Sequence, residues 1–504
     1  MRKTLLSVFS LFSMYILSAQ QNVLWEKSIG GEQAEYLHHA IPTPDYGFLI
    51  LGSSASDATG DKAKKNQGGL DFFIWKMNED GKEEWQQSFG GNAMDNLYTA
   101  TITPDGGYLL AGTSTSSKSG DKTEENFGNE DIWIIKISPL GNIEWQKTLG
   151  GNGNDIPVTI IKTKDNGYLI GANSNSTPDK LKTSPSLGGN DYWVIKLNQK
   201  GEVEWENTYG GENNDQLKSI TETEKGYIVI GNSNSPANDT SKILDHNFTS
   251  NWSILIDKKG EPVDELIFSD KENRFVSFQQ IEKSYYLTIQ ETSKKDKLSV
   301  IQLDENFNKV SSLELDFDPK LSINQINKID NSFFTSSNLI KTTFESNNPT
   351  NLSSQYVSKA FDEKGNEIWS KNFGDKGFNY LENTLITRDG SLVLFGNSTQ
   401  ASKGSNGQSD FYIIKLGNEK SDDDIKRVSI EAYPNPTQDV VNVLINKDFK
   451  KASIDVYNLT GQHLQTKEVK YRSTPISLGD YPAGVYILKI NHDNQTESIK
   501  IIKK

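Results

Sequence analysis

Carboxylates recur in this chain at fixed places, and their spacing is the first pattern that could do chemistry. Asp95, Asp155 and Asp215 each stand four residues after the second glycine of a Gly-Gly pair, and Glu35 holds the same place after Gly30-Gly31. A carboxylate so placed can accept backbone N–H bonds and fix a loop, which is a structural task. Asp71, Asp131, Asp191 and Asp410 open short apolar runs and read the same way. Two polar loops, SDATGDKAKKNQGGLD and SKSGDKTEENFGNED, align Asp61 with Asp121 and Asn66 with Asn126. Oxygen-rich glycine loops can bind calcium, but these depart from the EF-hand spacing. Lys62 and Lys122 oppose a cation, and the third loop has Leu181 where the others have Asp. A solvated loop is preferred over a Ca²⁺ site at Asp61, Asn66, Asp121 and Asn126.

Other chemistry leaves no mark. His38, His39, His246, His463 and His492 show no ligand spacing, and there is no G-x-S-x-G elbow or phosphate-cradling glycine loop. No catalytic residue and no cofactor site is expected. Two carboxylates brought together from distant segments would still serve glycoside hydrolysis, but the 67 acidic residues do not single out a pair. The net charge of −14 would repel a phosphate backbone, so nucleic acid is not an expected partner. With no cysteine, disulfides and thiolate metal sites are excluded.

The elements that carry these residues are repeats. Trp25, Trp85, Trp145 and Trp205 fall sixty residues apart, each followed by Gly-Gly, and Trp369 with Phe373-Gly374 resumes the pattern later. Each unit reads as an extended Trp run, a second run, a tight turn such as PDGG, a partner run such as YLLAGTS, a polar loop and a third strand such as DIWIIKI. Alternation and β-branched residues dominate, with no helical period. Four antiparallel strands per unit predict a β-propeller. The third strands, opening at Asp71, Asp131, Asp191, Ser250, Lys297, Gln355 and Asp410, predict seven blades, with Phe268-Ser269-Asp270 replacing Gly-Gly in a degenerate stretch. The first Trp strand, Val23 to Ile29, has no partner in its own unit and is expected beside Asp410 to Leu416, closing the ring. The tryptophans are expected between neighbouring sheets. The polar loops and Gly-Gly turns should share one face, the expected interaction surface.

The ends differ from the repeats. Residues 1–20 carry a basic start, an apolar run from Leu5 to Leu17 and a small residue at Ala19, which reads as a signal peptide, with no membrane span in the mature chain. The repeats occupy 21–417, and 418–427 reads as a polar linker. Residues 428–504 read as seven short strands of a small Ig-like sandwich. There Pro434 and Pro436 make an extended bend outside the central ladder, Asn458 to Gly461 make a hairpin turn, and Lys503-Lys504 read as solvated charge. This segment, with YPNP (Tyr433, Pro434, Asn435, Pro436), VYNLTGQ around Gly461, and YPAGVYILKI with Pro482, Gly484 and Tyr486, resembles the type A C-terminal sorting domain of the type IX secretion system of Bacteroidetes. The resemblance implies a secreted or cell-surface cargo whose partner is that machinery at the outer membrane. The whole reads as an all-β, seven-bladed propeller followed by a small sandwich. The expected activity is a non-enzymatic binding or adhesion scaffold for an extracellular glycan or protein. The alternative is an extracellular propeller hydrolase or lyase acting on polysaccharide.

Overall fold

The computed structural model describes residues 22–504 except 180, 236–249, 267–272, 282, 292, 330–331, 346–347, 375–376, 388, 400–405, 418–427, 438 and 447–448. The expected signal peptide, the linker and the Phe268-Ser269-Asp270 triplet lie outside the described residues. All regular structure among the described residues is β-strand. Glu35–Pro42, Phe48–Ser54, Asp71–Met77 and Glu83–Phe89 form an antiparallel four-stranded sheet in chain order. The arrangement recurs over 95–149, 155–209, 215–265, 273–316 and 321–373. A seventh sheet takes Asn379–Ile386, Leu392–Ser398 and Asp410–Gly417, and completes itself with Asn22–Ile29 from the other end of the chain. That pairing sets Ile29 opposite Phe411 and Trp25 opposite Lys415. The sixth sheet differs from the expected pattern. Its polar loop is replaced by a continued ladder, so its third strand begins at Asn348 rather than Gln355.

Burial explains why the inner runs are so uniformly apolar. Phe48–Ser54, Asp71–Met77, Tyr108–Ser114 and Asp131–Ile137 are buried at every position, because each is covered on both faces. Seven apolar clusters fill the spaces between sheets, each drawn from two sheets that follow one another. One joins Phe395 and Phe411 of the seventh sheet to Phe48 and Phe73 of the first. No sheet closes on itself; the packing between sheets returns to its start. The first strands of successive sheets contact one another in the same cyclic order. Trp25, Trp85, Trp145, Trp205 and Trp369 are half-buried and pack on these clusters. Each of the first four also lies beside the turn glycine of the next sheet, as Trp25 does at Gly81 and Trp85 at Gly141. The fully buried indoles are Trp133 and Trp193, in third strands.

The short-turn rim is held by buried cations. Lys76 Nζ lies 2.8 Å from Asp45 in the first hairpin and 2.6 Å from Glu84 in the fourth strand, so one side chain ties three strands. Lys136 repeats this with Asp105 and Glu144, and Lys196 with Asp165 and Glu204. In the seventh sheet Lys415 pairs with Asp389 at 3.3 Å, and Leu24 stands where the second carboxylate would be.

The C-terminal domain is a sandwich of a three-stranded sheet (Ile430–Tyr433, Val440–Ile445, Ser473–Ser477) and a four-stranded one (Ala452–Asn458, His463–Val469, Gly484–His492, Gln495–Lys503). Val441, Val443, Ile454, Leu488 and Ile501 are among the residues of its core. Lys503 was expected to be solvated; instead its ammonium donates to the carbonyls of Leu478, Gly479 and Tyr481 and caps a turn whose carbonyls have no strand partner.

Replacing Lys76 by Met strands two buried carboxylates and should cost about 3–5 kcal/mol in chemical denaturation. Adding Asp45→Asn and Glu84→Gln should recover much of that loss. A loss under about 1 kcal/mol in the single variant would show that the cation does not hold the rim.

Candidate functional site

The long-loop rim is built from pairs of buried carboxylates. Gly31, Gly91, Gly151 and Gly211 donate their N–H groups to Glu35, Asp95, Asp155 and Asp215 at 2.7–2.8 Å. Ser54, Ser116, Ser176 and Ser235 donate to the same carboxylates. Asp71, Asp131, Asp191 and Asp410 each accept the N–H four residues before them and close the polar loop, at 2.8 Å for Leu187 N–H to Asp191 and for Asn406 N–H to Asp410. The two sets meet at the sheet junctions. A Cβ on Gly30 would lie 2.2 Å from Asp410 Oδ1 and 2.5 Å from Glu35 Oε2, so glycine is required where the carboxylates converge. Burial pushes Asp71 and Asp131 up to about 6, with Asp95 and Asp155 adding repulsion, and burial also raises Glu35, Asp95 and Asp191. Where the repeat degenerates, both acids go together: Gln355 and Asn379 hold their places, and Asn379 is bonded through the Ser354 hydroxyl and backbone.

The calcium candidates are engaged separately. Asp61 Oδ2 accepts Gly30 N–H at 3.3 Å and Asn406 Nδ2 at 2.7 Å, while Asn66 Nδ2 donates to Gly68 and Gly69 carbonyls. Asp121 accepts Gly90 N–H and the Gln67 amide, and Asn126 Nδ2 donates to Ser114 O. Among the described residues no group of three or more His, Asp or Glu is placed to hold a metal. Lys62, Lys122 and Lys182 are buried here, and their ammonium groups donate to loop carbonyls.

A second set of residues escaped the sequence reading. Each first strand carries a bulge, and the bulged residues are His38, Tyr98, Val158, Lys218, Val276, Asn324 and Glu382. The bulge frees a backbone N–H, and a side chain of the preceding sheet takes it. Asn397 accepts from Leu37 at 2.6 Å, Ser53 from Leu97 at 3.1 Å, Asn173 from Leu217 at 2.7 Å and Asn338 from Leu381 at 2.6 Å. In the third sheet Pro157 offers no N–H, and Thr113 bonds Glu130 instead. The backbone device repeats, but the side chains do not. Bulges re-aim side chains and gather near functional sites. The rings of His38 and Tyr98 meet at 5.0 Å, and burial lowers His38 to about 4. Burial raises Tyr380, and Arg274, from the fifth sheet, opposes that shift. Lys218 is lowered by burial and then by Arg274. Glu382 is raised to about 7 by burial alone, which gives it the proton affinity of a general acid or base without a second carboxylate acting on it. The signal available in the sequence was the failure of these positions to repeat.

In the sandwich, Tyr433 ends a strand and Pro434 and Pro436 follow as a bend. Asn435 fastens that bend to the last strand, donating to Lys500 O at 2.8 Å and accepting from Ile502 N–H at 2.9 Å. Gly461 takes φ 81° in the Asn458–Gln462 turn, and Tyr486 donates to Pro482 O. Residues 429–504 match the family described as "Secretion system C-terminal sorting domain". The chain is a cargo of the type IX secretion system. Its destination is the cell surface or the extracellular space, and among the described residues no helix is long and apolar enough to cross a membrane. No curated protein matches this cargo in sequence.

Solved structures resemble it weakly. A quinohemoprotein alcohol dehydrogenase from Pseudomonas putida HK5 shares 8% identity over 83% of this chain and 79% of its own, with TM-score 0.38. A fungal alcohol oxidase of the AA5 family, in complex with copper, shares 8% over 96% and 99%, with TM-score 0.39. The extracellular domain of a putative hybrid two-component system from B. thetaiotaomicron shares 11% over 94% and 76%, with TM-score 0.31. Likenesses of this strength carry no argument about activity.

The two rims respond oppositely to pH. Acids raised by burial, led by Asp71 and Asp131 at about 6, contribute stability that is fully present below their unfolded pKa of about 4 and is lost as pH rises through about 6. Acids lowered by their partners, such as Asp389 at about 2, contribute stability present above about 4 and lost as pH falls toward 2. The melting temperature should therefore peak near pH 4, and a cargo equally stable at about pH 4 and pH 8 would contradict the paired-acid rim.

Proposed function

We propose that residues 21–417 form a seven-bladed β-propeller closed by the strand Asn22–Ile29, that 418–427 link it to a sorting sandwich at 428–504, and that residues 1–20 direct export to the periplasm. In this reading the propeller is a surface-displayed or released binding scaffold for an extracellular glycan or protein. The supporting observation is the contrast within the repeat. The recurring acids of the long-loop rim are spent on backbone N–H groups, while the first strands carry differing side chains at or near their bulges, Lys218, Arg274 and Tyr380 among them. A basic pair beside a phenol suits an acidic or hydroxyl-rich ligand, since both can be met by directed hydrogen bonds.

Glu382 favours the second reading, a hydrolase or lyase acting on polysaccharide, because its raised proton affinity suits acid–base work. Two-carboxylate hydrolysis needs a partner about 5–9.5 Å away, and no second carboxylate contributes to the shift of Glu382. A glycan array run beside a polysaccharide-degradation screen separates the two. The scaffold reading expects binding weakened about tenfold or more by Lys218→Ala with Arg274→Ala and no turnover; product formation abolished by Glu382→Gln would establish the enzyme. Removal of residues 428–504 should leave the repeats folded and retained in the periplasm, and normal surface delivery of that truncation would refute the sorting assignment.

A further inference from the structure

The hairpins of the first three sheets are alike except at their tips. Each places one residue at positive φ, and these are Tyr46 at 65°, Gly106 at 81° and Asn166 at 65°. Glycine and asparagine adopt that conformation readily, whereas a bulky aromatic rarely does. An unfavourable backbone held by an aromatic calls for a function, and all three tips face the C-terminal sandwich.

Tyr46 donates its phenolic hydrogen to Glu431 Oε2 at 2.7 Å. At the second tip Asn442 Nδ2 donates to Asp105 O at 3.2 Å, and a Cβ on Gly106 would lie 1.9 Å from that nitrogen. Only glycine admits such an approach. Asn166 lines a cleft whose opposite wall is made by Pro434 and Pro436. Arg472 adds charge, 3.9 Å from Glu79 and 3.7 Å from Asp80 in the neighbouring turn of the first sheet. The overall charges also complement each other: residues 428–504 carry 10 Lys and Arg against 8 Asp and Glu, net +2, and the remainder of the chain is −16. The tips are therefore individually matched to the sandwich, where a merely repeated turn would present the same residue three times.

We propose that the short-turn rim of the first three sheets is a docking surface for the chain's own sorting domain, and that these contacts hold the domain without the linker. Docked in this way, the Tyr433–Pro436 segment faces the repeats, and a partner that reads that segment must first lift the domain away.

The test uses the full mature chain with a protease site set within residues 418–427, cut after folding. The two parts should co-elute in gel filtration at about 10 µM and separate as salt is raised. Tyr46→Asn copies the third tip, so the melting temperature of the repeats should hold or rise while association weakens about five- to tenfold. Arg472→Glu should also loosen the complex, and Glu79→Lys with Asp80→Lys should restore it. Separation of the unmodified parts at low salt, or unchanged association in both Tyr46→Asn and Arg472→Glu, would overturn the proposal.

Discussion

A strand covered on both faces must meet its polar obligations at its two ends, and this constraint organises the repeat region. The second and third strands of each well-formed sheet are apolar and buried throughout, so their packing supplies most of the cohesion. Their ends cannot be left as they are, because turns between buried strands carry N–H and C=O groups that the ladder does not use. One rim answers with cations, Lys76, Lys136 and Lys196, each bridging two carboxylates. The other answers with carboxylates that take the N–H groups of the Gly-Gly turns. Between the rims, bulges let an Asn or Ser of one sheet bond the backbone of the next.

These devices differ in what they demand of the chain. A Lys between two acids leaves a single net negative charge and tolerates burial, since each charge has a partner within hydrogen-bonding distance. Two acids at one junction repel, and burial raises their proton affinity, so the long-loop rim stores an unfavourable arrangement at neutral pH. The replacement of both acids by Gln355 and Asn379 removes that repulsion, and Ser354 supplies hydrogen bonds to Asn379. Such a rim is a scaffold solution and leaves few polar atoms for a ligand. The positions free to vary are the bulged residues toward the middle, and the hairpin tips on the opposite rim.

The two rims consequently have different neighbours. The sorting domain lies against the short turns, where Tyr46 and Asp105 meet it, and the polar loops project from the other side. A cargo built this way keeps its export signal and its polar loops apart. That separation follows from strand number alone: with four antiparallel strands, the loops after the second and fourth strands share one rim and those after the first and third share the other.

The sequence by itself determined the all-strand class, the sixty-residue unit, the pairing of Asn22–Ile29 with Asp410–Gly417 and the sorting domain, because alternation, turn residues and motif order are local properties that survive in one dimension. It also placed Glu35, Asp95, Asp155 and Asp215 correctly as acceptors of backbone N–H groups. It did not disclose that Lys76 and Lys503 are sequestered, since a lysine in an alternating strand or at a chain end has the same local pattern whether solvent or carboxylates and carbonyls surround it. Nor did it disclose that Arg274 acts on Lys218, because they come from different sheets whose first strands pack against each other only in the folded cycle. What touches what across the middle and across the rims is a matter of three-dimensional neighbours, and only the tertiary structure decided it.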